Sequence, residues 1–408
     1  MGNSIYPTGI KKKIIPVILS ILCILLSGCW DYQSITDLNI VSGIAVDIVD
    51  EDYLLTFEIV NVSNGPESVA RSVYADATGS TLFEAVRNAK RKLANKFYLG
   101  NMQLIVISEK IVRTKGIASI LDALLRDGEP RETLNIVISK EETAQAILTE
   151  EGLDVTNVSY ELNNIIENDS SITIATKNVH LFEAYNALTE PGFTLVLPAV
   201  QLVEREKGNQ SDREGNQGDD SQTDDSKDQK IIELGGIAIM PDDSLIGYIT
   251  ANETNYFLAV TDNIIGGAFS FSLNPDEPND IAMEIKKNHT KSKFSYQNNK
   301  LKIQIEIKNS MNLIELKMPL PILEKNVRKQ LEERCADEFK SRVEGLIEKA
   351  QNEYRTDIFS FGNMIYKDNP KLWAELESDW HNIFCNAEIE VIVETELINT
   401  GIILGRVR

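Results

Sequence analysis

Cys29 carries the most defined chemistry in this 408-residue chain, because of what precedes it. Lys11, Lys12 and Lys13 are followed by an apolar run from Ile14 to Leu26, broken only by Pro16 and Ser20, and then by Ser27-Gly28-Cys29. A basic cluster, a short apolar core and small residues, in that order, make a secretory signal over residues 1–28. The apolar run has thirteen residues, where a spanning helix needs about 20, so cleavage is expected rather than retention as an anchor. A thiol just beyond the cleavage point suits alkylation, since the thiolate is the nucleophile. Two acyl chains carried there would hold a chain on a bilayer far better than one.

The remaining candidates are weaker. Arg126, Asp127, Glu129 and Arg131, stiffened by Pro130, form a charged run that either contacts a partner from a loop or caps the preceding helix and pairs internally. Trp373 and Trp380 are either exposed docking anchors or core residues. Asp357, ahead of Phe361-Gly362, most simply caps and turns the chain. Once Cys23 leaves with the signal and Cys29 is modified, Cys335 and Cys385 remain, either as a disulfide or as two small core residues. His180, His289 and His381 lie far apart without a CxxC, so no zinc signature exists locally. There is also no nucleophile elbow, phosphate loop or dinucleotide fingerprint. No metal, no cofactor and no catalytic residue is expected.

The balance of 41 Lys and Arg against 62 Asp and Glu gives a net charge of −21. Loss of residues 1–28 removes three lysines and no acid, taking it to −24. A surface that acidic lacks the footprint nucleic-acid binding needs. It is also repelled by anionic lipid, so membrane attachment must come from the lipid and from protein partners. With 42% hydrophobic residues, the chain has enough apolar content for two or more cores.

The elements that would position these residues read as α+β, or mixed α/β, in a multidomain chain. In an N-terminal mixed α/β region, 29–203, the strands Val41–Val49 and Tyr53–Asn61 form a hairpin around Asp50-Glu51-Asp52. Helices at Thr81–Lys96, Gly116–Arg126 and Glu141–Glu150 alternate with strands at Leu104–Ser108 and Thr133–Ser139, and Phe193–Val200 closes the region. Residues 204–230 hold nine acidic and five basic residues and no aliphatic or aromatic side chain, the composition of an acidic disordered linker. A C-terminal α+β domain, 231–408, opens with a hairpin of Leu234–Ile239 and Leu245–Ile249. Strands at Ala268–Ser272, Ile281–Lys287, Lys291–Tyr296 and Leu301–Ile307 then build an antiparallel sheet. A long helix with apolar positions Leu323, Val327, Leu331, Cys335, Phe339, Val343, Leu346, Ala350 and Tyr354 lays one face on that sheet. A short helix near Lys371–Glu377 and a strand Ala387–Leu397 complete it.

Leu26-Ser27-Gly28-Cys29 resembles the lipobox of bacterial lipoproteins, which implies an S-diacylglyceryl and an N-acyl group on Cys29. Cys29-Trp30-Asp31 with Ile35, Asp37 and Leu38, then Tyr98-Leu99-Gly100, then Leu121, Asp122, Leu125, Arg126, Asp127, Glu129 and Arg131, are similar to the Ger(x)C family of spore germination lipoproteins. Gly236-Ile237-Ala238, Leu245-Ile246-Gly247-Tyr248, Gln351, Asp357, Phe361-Gly362, Pro370, Trp373, Trp380 and Phe384 continue the resemblance, in order, to the end. Ser34, Asn101 and Ser108 depart from it, standing where an acidic residue, a His and a Gly are usual. The resemblance implies a non-enzymatic, lipid-anchored C-type subunit of a nutrient germinant receptor, extracytoplasmic on the outer face of the spore inner membrane, beside two integral membrane subunits. The alternative is a solute-binding lipoprotein of a transporter, which needs two similar α/β lobes around a cleft. A cell-wall enzyme needs a carboxylate pair or metal site of which the sequence has no local sign.

Overall fold

The computed structural model describes residues 38–61, 71–150, 157–205, 230–264, 266–273, 281–317, 321–322 and 324–399. Cys29, the signal and most of 204–230 lie outside the described residues.

The first sheet is built around strands that are apolar on both faces. β1 (Leu38–Val49), β2 (Asp52–Asn61) and β3 (Arg71–Gly79) form an antiparallel meander. Asp50, in the left-handed region at φ 55°, closes the β1–β2 turn. Helix α1 (Leu82–Lys90) starts on the Thr81 hydroxyl, which accepts the Glu84 N–H; it is followed by the short β4 (Lys96–Tyr98) beside β1. β5 (Leu104–Ser108) and β6 (Asn135–Ser139), reading LIVIS and NIVIS, are buried at every position and run parallel to β1. Parallel strands covered on both faces have this continuous apolar pattern.

The alternation of side chains divides the core in two. Ile105, Ile107, Ile136 and Ile138 face α1, α2 (Glu109–Thr114), α3 (Ala118–Asp127) and α6 (Leu181–Thr189). Leu104, Val106 and Val137 face α4 (Ala144–Leu148) and α5 (Val158–Ile172) on the other side. Truncating one of these to Ala costs about 2–5 kcal/mol through lost burial and the cavity left behind.

Two buried carboxylates fasten the second layer of helices. Asp47 on β1 accepts the Ala144 and Gln145 N–H groups at 2.7 and 2.9 Å, and Glu58 on β2 accepts those of Val158 and Ser159 at 2.8 and 2.9 Å. The first N–H groups of a helix have no partner within it, so each carboxylate satisfies two that would otherwise be orphaned.

β7 (Leu195–Glu204) continues the parallel set, and β8 (Lys230–Met240) pairs with it antiparallel, followed by β9 (Gly247–Ile249). The hairpin expected to open the second domain therefore forms, but it extends the first sheet to nine strands in the order β3-β2-β1-β5-β6-β7-β8-β9, with β4 beside β1. Glu204 faces Lys230 in the register, so the polar segment between them leaves and re-enters one sheet instead of joining two. Pairing with β7, which no local signal announces, outweighs the change of composition.

After α7 (Ala251–Val260), held by a capping box of Thr250 and Glu253, the second sheet forms. β10 (Ala268–Phe271), β11 (Ile281–Gln297) and β12 (Lys300–Leu316) are antiparallel, with a two-residue turn in which Asn298 and Asn299 both adopt positive φ. β13 (Glu388–Asn399) runs parallel to β12, a departure from the all-antiparallel expectation made possible by the helices between them. These are α8 (Lys325–Lys349) with a wide turn Ala350–Tyr354, α9 (Phe361–Asp368), α10 (Pro370–Leu376) and α11 (Trp380–Cys385). Leu331, Cys335, Phe339, Val343, Leu346 and Ala350 of the long helix and its wide turn are buried with the sheet's Ile303, Ile305 and Met311. Cys335 and Cys385 are free thiols, as the core reading expects.

Candidate functional site

The charged run after α3 divides between residues at the helix surface and residues that bond to the neighbouring turn. Arg126 Nε donates to Asp122 Oδ2 at 2.7 Å on the exposed helix surface, and Asp127 is exposed. The chain then turns at Gly128, φ 67°. Glu129 Oε1 accepts the Leu99 N–H at 3.0 Å, and Arg131 Nε donates to the Gly100 carbonyl at 2.7 Å. Two sequence stretches singled out separately, Tyr98-Leu99-Gly100 and Glu129–Arg131, are thus one structural piece, and Glu129 and Arg131 hold the turn.

Trp373 is 4% exposed, which selects the core residue over the exposed docking anchor among the two readings. Its ring lies against Gly362, where an added Cβ would meet ring carbons at 2.8 Å, and it meets Trp380 edge-on at 5.3 Å between centroids. Trp380 is half-buried against the same core. The pair is packing: it joins Phe361, Ile365, Leu376 and Phe384 of the short helices α9 to α11 in one buried cluster.

Asp357, 5% exposed, turns the chain as the sequence suggests: its Oδ2 accepts the Gly362 N–H at 2.8 Å. Burial pushes its carboxyl up from the ordinary 3.8 to about 6, against the opposing hydrogen bonds of Gly362, Phe361 and Trp380. The same turn forms the seam between the two sheets. Thr194 Oγ1 donates to the Asp357 carbonyl at 2.8 Å, the Thr194 N–H donates to Ser360 Oγ at 3.1 Å, and Asn363 Nδ2 donates to the Pro191 carbonyl at 3.0 Å. Gly192, φ 68°, permits the approach: a Cβ there would sit 2.5 Å from the Gly362 carbonyl carbon. Lys367 pairs with Glu190 at 2.9 Å across it.

Two adjoining cavities of about 380 and 280 Å³ open along this seam and share Lys177, Phe193, Val196 and Asn263. No sequence pattern marks Lys177; its position comes from two units meeting over it. A larger hollow of about 630 Å³ lies beside Arg342, whose donors are committed to Glu338, Tyr256 and the Ser270 carbonyl.

No catalytic constellation assembles from the sequence candidates. His180 precedes α6, His289 on β11 has its Nδ1 3.4 Å from Asp262, and His381 sits in α11. Among the described residues no three His, Cys, Asp or Glu side chains come together as metal ligands. No helix among them is long and apolar enough to cross a membrane.

Comparison with known proteins bears on both halves of the chain. Residues 31–202 match the model of the spore germination protein N-terminal domain, and residues 235–401 match that of spore germination B3/GerAC-like proteins, C-terminal. The chain is 23% identical to spore germination protein KC of Bacillus subtilis (strain 168), over 96% of this chain and 97% of that one. It is 24% identical to spore germination protein B3 of the same organism, over 97% and 98%. The crystal structure of the GerBC protein superposes with a TM-score of 0.55 at 20% identity, covering 88% of this chain and 97% of that one; the fold is shared.

Proposed function

The chain belongs to the spore germination B3/GerAC-like family, and from that premise we propose that it is a lipid-anchored, non-enzymatic subunit of a spore nutrient germinant receptor. In this reading the thiol of Cys29 carries the lipid, the chain stands on the outer face of the spore inner membrane, and it acts beside two integral membrane subunits. The observation that carries the reading is the match to both family domains in order along one chain. The placement of Cys29 behind a basic cluster, a thirteen-residue apolar run and Ser27-Gly28 supports the anchor.

The geometry agrees with a scaffold more than a catalyst. Several of its charged residues hold turns and helix starts, as Asp47, Glu58, Glu129 and Arg131 do. The transporter-linked alternative needs two similar lobes, whereas a nine-stranded sheet stands here beside a four-stranded one carrying a long helix.

The test is Cys29→Ala in a sporulating host, with membrane fractionation of spores and germination assayed across amino acids and sugars. The expected result is loss of the protein from the membrane fraction and failure of one nutrient response while others persist. Retention at the membrane with every response intact overturns the reading.

A further inference from the structure

We infer that the seam cavity around Lys177 is a binding site for a small organic monocarboxylate with an apolar body. The inference rests on the cavity alone and stands or falls apart from the germination reading.

Lys177 lies in the stretch between α5 and α6, and its side chain lines both adjoining cavities. Among the described residues its ammonium makes no hydrogen bond or ion pair. Burial draws it below the usual lysine range, opposed by the more distant charge of Glu183. Lys177 is only partly exposed, and a partly desolvated cation without a bonded partner is stabilised when an anion joins it.

Three neighbouring donors are already committed. Thr194 Oγ1 donates to the Asp357 carbonyl, Asn363 Nδ2 to the Pro191 carbonyl, and Lys367 pairs with Glu190. Lys177 is therefore the one cation on the cavity wall left to meet a ligand among the described residues. The rest of the wall of the 380 Å³ cavity mixes an apolar part, with Phe193, Phe257, Phe359 and Met364, and a polar part that includes Thr261, Ser360 and Asp368. A cavity of this size with an apolar part and a few placed polar groups suits a small, partly apolar ligand.

The charges choose the anion. Asp368 lines the same cavity and Glu183 and Glu190 border the adjoining one, so a dianion such as phosphate meets three carboxylates for one free ammonium. A single carboxylate takes the lysine with less repulsion and leaves its carbon skeleton on Phe193 and Met364. The walls come from both sides of the seam, so a bound ligand adds contacts between the two units and stabilises their joined state.

The experiment is calorimetric titration of the full chain, purified in detergent, with 3-phenylpropanoate, its neutral amide and inorganic phosphate. The carboxylate is expected to saturate, and to bind at least about tenfold tighter than the amide or phosphate. Lys177→Met is expected to weaken the carboxylate by about tenfold or more and leave the amide unchanged, with Lys177→Arg keeping part of the affinity. Met364→Trp, which fills the cavity and leaves the lysine, is expected to abolish both. Circular dichroism melts establish that each variant is folded. No saturable binding, equal binding of carboxylate and amide, phosphate binding as tight as the carboxylate, or a folded Lys177→Met variant with unchanged affinity overturns the proposal.

Discussion

Glu58→Gln tests how the first unit holds its outer helices. The wild-type carboxylate is fully buried. Its Oε1 accepts Ser72 Oγ at 2.6 Å and the Val158 N–H at 2.8 Å; its Oε2 accepts Ser42 Oγ at 3.1 Å and the Ser159 N–H at 2.9 Å. Asn157 closes the ring, donating to both hydroxyls while its own oxygen accepts the Tyr160 N–H. Glutamine keeps the shape but turns one acceptor into a donor, and that donor must face a backbone N–H. The serine hydroxyl can rotate; the amide cannot. Losing one charge-assisted bond costs about 1.5–3 kcal/mol, and the unmet N–H about 1–3 more. Cheaper burial of a neutral group offsets part of this, leaving a net loss of about 2–4 kcal/mol. At about 2 °C per kcal/mol the melting of this unit falls by roughly 4–8 °C. Differential scanning calorimetry reads the fall, and hydrogen exchange should show the amides of Val158–Asn163 losing protection first. Glu51→Gln, on the exposed turn, is the control. An unchanged melting temperature with α5 amides fully protected would refute the clamp.

Three further outcomes follow from the same geometry. Gly192 and Gly128 share a φ near +68°, yet an added Cβ at Gly192 strikes the Gly362 and Asn363 backbone while Gly128 has nothing within 4 Å. Alanine should therefore cost about 1–2 kcal/mol at Gly128, the left-handed penalty alone, and distinctly more at Gly192; equal losses by urea denaturation would remove the seam from the account. The raised pKa of Asp357 means that the folded state holds its proton more tightly than the unfolded chain, so its contribution to stability is greatest below about pH 4 and is lost as pH rises to about 6. The stability difference between wild type and Asp357→Asn should shift by about 3 kcal/mol across that window, and a difference independent of pH counts against the buried ionisable carboxyl. Glu129→Ala should cost about 1–3 kcal/mol by stranding the Leu99 N–H, whereas Arg126→Ala, on an exposed ion pair, should leave the melt unchanged; a reversed order makes the outward residue the structural one.

Much of the first sheet was legible because its central strands, LIVIS and NIVIS, carry unbroken apolar runs between helices with a clear stripe. The long helix was equally plain from steps of three and four. Strand lengths were harder. Asn288 and Thr290 look like a break in β11, yet the strand runs through, because Asn288 Nδ2 and Thr290 Oγ1 both donate to the Ala259 carbonyl and the Thr290 N–H to Asp262 Oδ1. Sheet membership of β8 was not legible, since Val200↔Leu234 and Leu195↔Met240 pair across a long polar segment and no local residue encodes that partner. The roles of Glu129 and Arg131 needed the fold, which alone brings Leu99 and Gly100 beside them. Lys177 is one lysine in Thr176-Lys177-Asn178, and only packing reveals that its charge is unmatched.

The central claim is that this chain works as a receptor subunit attached to the membrane. The direct measurement is purification of the tagged chain from spore inner membranes in mild detergent, followed by quantitative mass spectrometry of its partners and of its N-terminal peptide. The account predicts two integral membrane subunits in a constant ratio to the chain and a diacylglyceryl group on Cys29. A chain that purifies alone, or with the subunits of a solute transporter, and begins with an unmodified residue contradicts it.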